Sequence, residues 1–143
     1  MTSDDTERSV TLSRTGKARF RATNVRGGTL DLGEGADTDF TPVELLLVAI
    51  AGCSAIDVDH LTGKRVDPEV FTVAARADKI RDGLGNRLTD IRVSFDVTFP
   101  AGPDGDRAAT EILPRSIALS HDRLCTVTRT VIVGTPVDEH VAG

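Results

Sequence analysis

The chain has 143 residues, enough for one domain with a real hydrophobic core. Apolar residues make up 39% and charged residues 27%, which excludes a wholly disordered chain, and the net charge of −5 argues against nucleic acid or an anionic membrane as the main partner. With five Phe and no Tyr or Trp, a base-stacking platform is poorly supplied, and Val, Leu, Ile and Ala must fill the core.

Residues 1–8 are polar and acidic and read as a flexible N-terminal arm, neither a signal nor a transit peptide. Residues 9–143 read as a single domain. From Val10 to Leu32 apolar and polar residues alternate, with breaks at Thr15-Gly16-Lys17 and Arg26-Gly27-Gly28, so two or three short antiparallel strands are expected. Glycine-rich Gly33–Asp39 reads as a connection.

Thr41-Pro42-Val43-Glu44 predicts a helix start: Thr at the N-cap, Pro at the first helical position and Glu at the third. Phe40 and Leu45 sit where a hydrophobic staple would place them. The helix then runs apolar all round from Leu45 to Cys53. A helix with no polar face must be surrounded by protein, and in so small a domain a second chain has to supply part of the cover. The strongly apolar stretch, about Leu45–Ile56, is short for a bilayer span. Charges return after Asp57, and Gly63 offers a stop. No membrane partner is expected, and the protein reads as cytoplasmic.

Val66–Ile80 and Leu88–Phe99 both alternate as strands and are joined by turn residues Arg81–Asn86, which predicts a long hairpin. Asp106–Leu119 is amphipathic enough for a helix that Pro114 breaks or restarts, Ser120 is a candidate cap for a further helix holding Cys125, and Val131–Val141 resembles a final strand. The order is strands, buried helix, hairpin, helices, strand: an α+β fold.

Two cysteines are no disulfide framework, which leaves reactive thiols, a metal site or inert space-fillers. Cys53 lies mid-helix, too far along to gain from the helix dipole, so reactivity would need a cationic neighbour. Cys125 lies near the expected start of a short helix, beside Arg123. His60 and His121 share helical faces with Cys53 and Cys125, and the four together suggest a Cys₂His₂ zinc site. Neither pair has zinc-finger spacing and no CxxC is present, so no metal and no cofactor is assigned; His140 reads as an exposed tail residue. Ser54, Asp57 and His60 share one helix without a nucleophile elbow, which argues against a serine triad.

The segment Pro42–Val58, with a Pro, an acidic residue, an apolar run and a Cys eleven positions after the Pro (42 to 53), resembles the central-helix signature of the OsmC/Ohr family. Gly-Cys-Ser-Ala-Ile-Asp-Val is most similar to the OsmC-like, YhfA-type branch, and Ser120–Val127 is similar to that branch's second-cysteine segment. The resemblance covers about Val10 to Val141. It implies an intertwined homodimer in which antiparallel sheets wrap long buried central helices, making residues 9–143 one OsmC-like domain. It also implies a thiol-dependent peroxidase acting on organic hydroperoxides: Cys53 attacks the peroxide and becomes a sulfenic acid, Cys125 resolves it to a disulfide, and a small dithiol of lipoyl type reduces that disulfide. In peroxidatic members an Arg from the N-terminal strands activates the cysteine. Arg19 is the expected counterpart, with Arg14 and Arg21 as competitors. A Glu directly after the Pro orients that Arg in the family, but Val43 stands there in this chain. Glu44, about 100° further round the helix, reads as the capping-box acid. That departure keeps a second reading alongside: a non-enzymatic OsmC-like protein binding an apolar small molecule at the dimer interface.

Overall fold

A computed structural model describes residues 6–143, which fall into two compact units, one ending at Leu46 and the other running Leu47–Gly143. The expected arm, residues 1–8, lies mostly outside the described residues.

The first unit is a three-stranded antiparallel sheet of β1 (Val10–Gly16), β2 (Arg19–Asn24) and β3 (Thr29–Leu32), in that spatial order. The turns fall where the glycines placed them, with Gly27 at φ 90. Register puts Leu12, Ala22 and Leu30 in one row across the sheet, and Arg14, Phe20 and Leu32 in the next row of the same face. Partners facing each other across a ladder share a side, so this is the apolar face. Within the chain its outer members Val10, Leu12 and Leu30 stay exposed. The opposite face is polar and carries Arg21, whose Nε donates to Asp31 Oδ1 at 2.6 Å across the register pair.

The central helix α1 spans Pro42–Thr62 and opens with the expected capping box. Thr41 N–H donates to Glu44 Oε1 at 2.9 Å, and Glu44 N–H donates to Thr41 Oγ1 at 3.2 Å. Two of the N–H groups at the helix start are thereby satisfied. At the other end Gly63 N–H bonds Asp59 O, so close that a Cβ on residue 63 would lie 2.7 Å from that oxygen. With 21 residues and a mean hydropathy of 1.6 in its most apolar stretch, α1 is long and apolar enough to cross a bilayer by length and composition alone. The run Leu45–Ile56 understated this because the helix continues through Val58 to Thr62. Its one buried seam is Ile50, Ser54, Val58 and Thr62, spaced four apart. Val43, Leu46, Val48 and Ile56 remain exposed within the chain.

In the second unit β4 (Val70–Asp82) and β5 (Gly85–Thr98) form the expected hairpin. Phe71, Val73 and Ala75 face Val97, Phe95 and Val93 in register, and this apolar face is half-buried while the alternate residues are exposed. Phe71 and Phe95 meet edge to face with centroids 6.4 Å apart, the favoured geometry of two ring quadrupoles.

A helical run follows: α2 (Pro103–Arg107), a π-helical segment (Ala108–Ile112), α3 (Leu113–Leu119) and a second π-helical segment (Ser120–Leu124). Pro114 therefore does not end the helix. It falls at the first turn of α3, just after a π segment, where its missing N–H is absorbed. Gly105 packs so tightly that a Cβ would lie 1.7 Å from Pro100 O.

Two expectations are corrected. Ser120 is no N-cap: its φ −59, ψ −50 are helical and it continues the run. The break comes at Cys125, with ψ 100, which caps α4 (Thr126–Ile132). Nor is there a strand over Val131–Val141. The β-branched run Thr126–Ile132 favours strand by propensity, yet the cap at Cys125 starts a helix. Gly134, at φ 67, ends it in a Schellman turn, with Thr135 N–H on Thr130 O and Gly134 N–H on Val131 O.

Candidate functional site

Both cysteines lie in the second unit and both are free thiols. Cys53 sits beside the buried seam of α1 and is half-buried; Cys125 is fully buried. The polypeptide leaves its second π segment at Cys125, whose Sγ caps α4 by accepting Thr128 N–H at 3.3 Å and whose S–H donates to Thr128 Oγ1 at 3.1 Å. A sulfur thus takes the place of the usual Ser or Asp oxygen at a helix N-cap.

Cys53 and Cys125 lie near enough for Cys125 to act on the ionisation of Cys53. Burial pushes the Cys53 thiol above its ordinary value. A backbone hydrogen bond from Val127 pulls the other way, while a side-chain hydrogen bond with Cys125, the charge of Cys125 and the charge of Asp57 raise it further. Val127 is in the first turn of α4, where its N–H has no intrahelical acceptor and is free to point at a sulfur anion. These influences together favour the protonated thiol, and a reactive thiolate here needs a cation.

Beside the pair lies an apolar pocket of about 290 Å³, walled by Ile91, Val93 and Phe95 of the hairpin, Ile117 of α3 and Val131 of α4. Ser54 and Thr128 are among its polar members, and Thr128 is the residue bonded to Cys125. An apolar wall with a few polar groups at one end is the usual make-up of a small-molecule site.

The arginines lie in the first unit. Arg19 makes ion pairs with Asp37 and Asp39, at 3.0 Å to the latter, and Arg21 is held by Asp31. Asp31 is correspondingly pulled below the ordinary carboxylate range by its hydrogen bond to Arg21. Arg14 stands in the apolar row with Phe20 and Leu32 and makes no ion pair among the described residues. Glu44 is occupied by the Thr41 N–H, as the capping reading requires.

His60 and His121 do not join the cysteines into a metal site; among the described residues no three His, Cys, Asp or Glu gather to hold an ion. His121 borders the pocket and pairs with Asp122 instead. Sequence reasoning missed the part played by Ser120. This fully buried residue donates to Asp57 Oδ2 at 2.9 Å and lies 3.2 Å from Ser54 Oγ. The small polar residue that opens the second cysteine segment was the available signal. Of the dismissed Ser54, Asp57 and His60 constellation, the first two meet at Ser120, and His60 is exposed.

Residues 34–140 match the family described as OsmC-like protein. An uncharacterized protein of Mycobacterium tuberculosis is 31% identical over 134 residues, spanning 91% of this chain and 93% of its own length. Among solved structures, a hypothetical protein from Aquifex aeolicus superposes with a TM-score of 0.72 at 23% identity, covering 90% of this chain and 89% of its own. The organic hydroperoxide resistance protein OhrB of Bacillus subtilis superposes with a TM-score of 0.53 at 16% identity, covering 87% and 90%. These likenesses match the observed mixture of antiparallel sheets with a long central helix. With a match over most of its length and a relative above 30% identity, the chain belongs to the OsmC family of OsmC-like proteins.

Proposed function

We propose that the protein is a cytoplasmic, thiol-dependent peroxidase that reduces organic hydroperoxides to alcohols, acting as a homodimer of a single OsmC-like domain formed by residues 9–143. The observation that carries this reading is the nearness of Cys53 and Cys125 beside an apolar pocket. The Cys53 thiolate attacks one peroxide oxygen: an S–O bond forms, the O–O bond breaks, and the departing alkoxide takes a proton to leave as the alcohol. Cys53 is left as a sulfenic acid. Cys125 then attacks the Cys53 sulfur, forming the disulfide and releasing water. A small dithiol, lipoyl-type by the family resemblance, restores both thiols and is itself oxidised to a disulfide. The pocket favours alkyl peroxides over hydrogen peroxide because each methylene leaving water contributes about 0.8 kcal/mol.

Arg19 is assigned as the activating cation. Its ion pairs with Asp37 and Asp39 would have to loosen for it to act on a thiolate. Arg14, in no ion pair among the described residues, is the competing choice. The homodimer rests on α1 and the first sheet, whose apolar side chains stay exposed within one chain.

The Cys53 thiol pushed up by burial, together with Val43 in place of the family glutamate, favours one second reading: a non-enzymatic protein holding an apolar small molecule at the dimer interface. One experiment separates the two. Reduced protein is mixed with one equivalent of cumene hydroperoxide, and both cysteines are followed by mass spectrometry beside a Cys53→Ser control. The peroxidase reading expects a rapid Cys53–Cys125 disulfide, slower with hydrogen peroxide and absent in the control. Thiols that stay reduced for many minutes would remove the enzyme and leave the binding protein.

A further inference from the structure

We propose that Asp57 is a positioning residue for the cysteine pair, fixing through the buried Ser120 hydroxyl the turn that presents Cys125 to Cys53. The inference rests on the reading that the two cysteines pair. Ser120 belongs to both halves of the arrangement. Its backbone oxygen accepts the Cys125 N–H at 2.8 Å, an i to i+5 bond that closes the π turn. Its side chain reaches α1, where Ser54 is the neighbour of Cys53 and Asp57 lies one turn beyond it. One residue therefore ties the Cys125 backbone to the Cys53 helix.

Proton counting fixes the direction of this chain. An ionised Asp57 only accepts, so the single Ser120 hydroxyl proton goes to Oδ2, 2.9 Å away. The lone pairs of Ser120 Oγ then accept the Ser54 proton across 3.2 Å. The order is Ser54 to Ser120 to Asp57, and it ends on a charge, which makes the terminal bond the strongest of the series. Ser120 is fully buried, so its hydroxyl has no water as a ready substitute, while Ser54, at 8% exposed, borders the pocket. No buried side-chain polar atom is left unpaired among the described residues. Removing the acceptor leaves one of the two hydroxyl protons without a partner and frees the turn to drift. No other side-chain hydrogen bond among the described residues links α1 to the Ser120–Leu124 segment.

The test is the equilibrium of the pair with glutathione: the two thiols plus one oxidised glutathione give the Cys53–Cys125 disulfide plus two reduced glutathiones. It is read by acid quench and mass spectrometry at one fixed pH, and Asp57→Asn, which removes the charge but keeps an acceptor oxygen, separates charge effects from the hydrogen bond. Four proteins are compared: wild type, Asp57→Ala, Asp57→Asn and Ser120→Ala. Circular dichroism checks that each is folded. The expected result is a roughly tenfold lower equilibrium constant in Asp57→Ala and Ser120→Ala, equivalent to about 30 mV toward easier reduction. Asp57→Asn keeps an acceptor oxygen for Ser120 and is expected to stay within about threefold of wild type. Wild-type values in folded Asp57→Ala and Ser120→Ala would overturn the inference alone, as would an Asn variant as impaired as the Ala variant. A wild-type protein forming no Cys53–Cys125 disulfide at any glutathione ratio would sink the pairing itself, and the inference with it.

Discussion

Glu44 is where the family pattern and the local physics make opposite demands, and it can be tested directly. If its carboxylate serves the helix start, its loss costs stability and spares the thiol chemistry. The structure gives it one bond to Thr41 N–H at 2.9 Å, reciprocated by Thr41 Oγ1 to Glu44 N–H at 3.2 Å, both at an exposed site. Removing an N-cap hydroxyl costs about 1 kcal/mol, so Thr41→Ala is set near that figure. Glu44→Ala loses one exposed bond and a favourable charge at the helix N-terminus, together about 0.5–1 kcal/mol. At roughly 2.1 cal/mol/K of unfolding entropy per residue, a chain of 143 residues shifts its melting temperature by about 3 °C per kcal/mol. Thr41→Ala should therefore melt about 3 °C lower and Glu44→Ala about 2 °C lower. Glu44→Gln, which retains the capping oxygen, should stay within about 1 °C. Differential scanning calorimetry reads the melting, and alkylation of Cys53 by iodoacetamide reads the thiol. All three variants should alkylate at the wild-type rate. An unchanged melting temperature in Glu44→Ala, together with a tenfold loss of its thiol reactivity, would refute the capping assignment and restore an arginine-orienting role.

Asp57→Asn removes one of the charges that raise the Cys53 thiol, so its alkylation profile should move to lower pH while burial keeps the remaining upward push; superposable profiles would count against the charge effect. Gly105→Ala forces a Cβ to within 1.7 Å of Pro100 O and should cost upwards of about 3 kcal/mol in urea unfolding; a loss below 1 kcal/mol would mean the loop yields freely. Ile56→Glu, at a side chain 62% exposed within the chain, should leave the helix intact and weaken self-association in sedimentation; an unchanged particle mass would place the interface elsewhere. Val93→Thr puts a hydroxyl on the pocket wall and should slow turnover of cumene hydroperoxide about fivefold while leaving that of hydrogen peroxide unchanged. Equal slowing of both substrates would detach the pocket from specificity.

Local, strongly patterned features were legible in the sequence. The capping box at Thr41–Glu44 is a four-residue signal whose geometry depends on little beyond itself. The hairpin showed because Phe71, Val73 and Ala75 alternate against Val93, Phe95 and Val97 over enough length to exclude a helix. The last element failed for the opposite reason. The strand expected over Val131–Val141 overlaps the end of α4, a helix six of whose seven residues are β-branched and whose start is set by the Cys125 sulfur. The π segments were equally invisible, since no residue type marks them and they depend on the count of residues between fixed points. The cysteines were recognisable as candidates from their motifs, but the Ser120 link between their two segments was not. It joins residues 63 and 66 positions apart, which only the fold brings together.

The π turn from Ser120 to Leu124 carries one further consequence. Because its closing bond spans five residues rather than four, the direction in which Cys125 emerges is set by how many residues the turn contains more than by which ones. Deleting a single residue there would turn the same stretch into an ordinary α-helical loop and swing everything downstream about a quarter of a turn round the axis. Insertions and deletions in this segment should therefore be far more damaging than substitutions at its exposed positions His121, Asp122 and Arg123. Spacing, not chemistry, is what the second cysteine's address is written in.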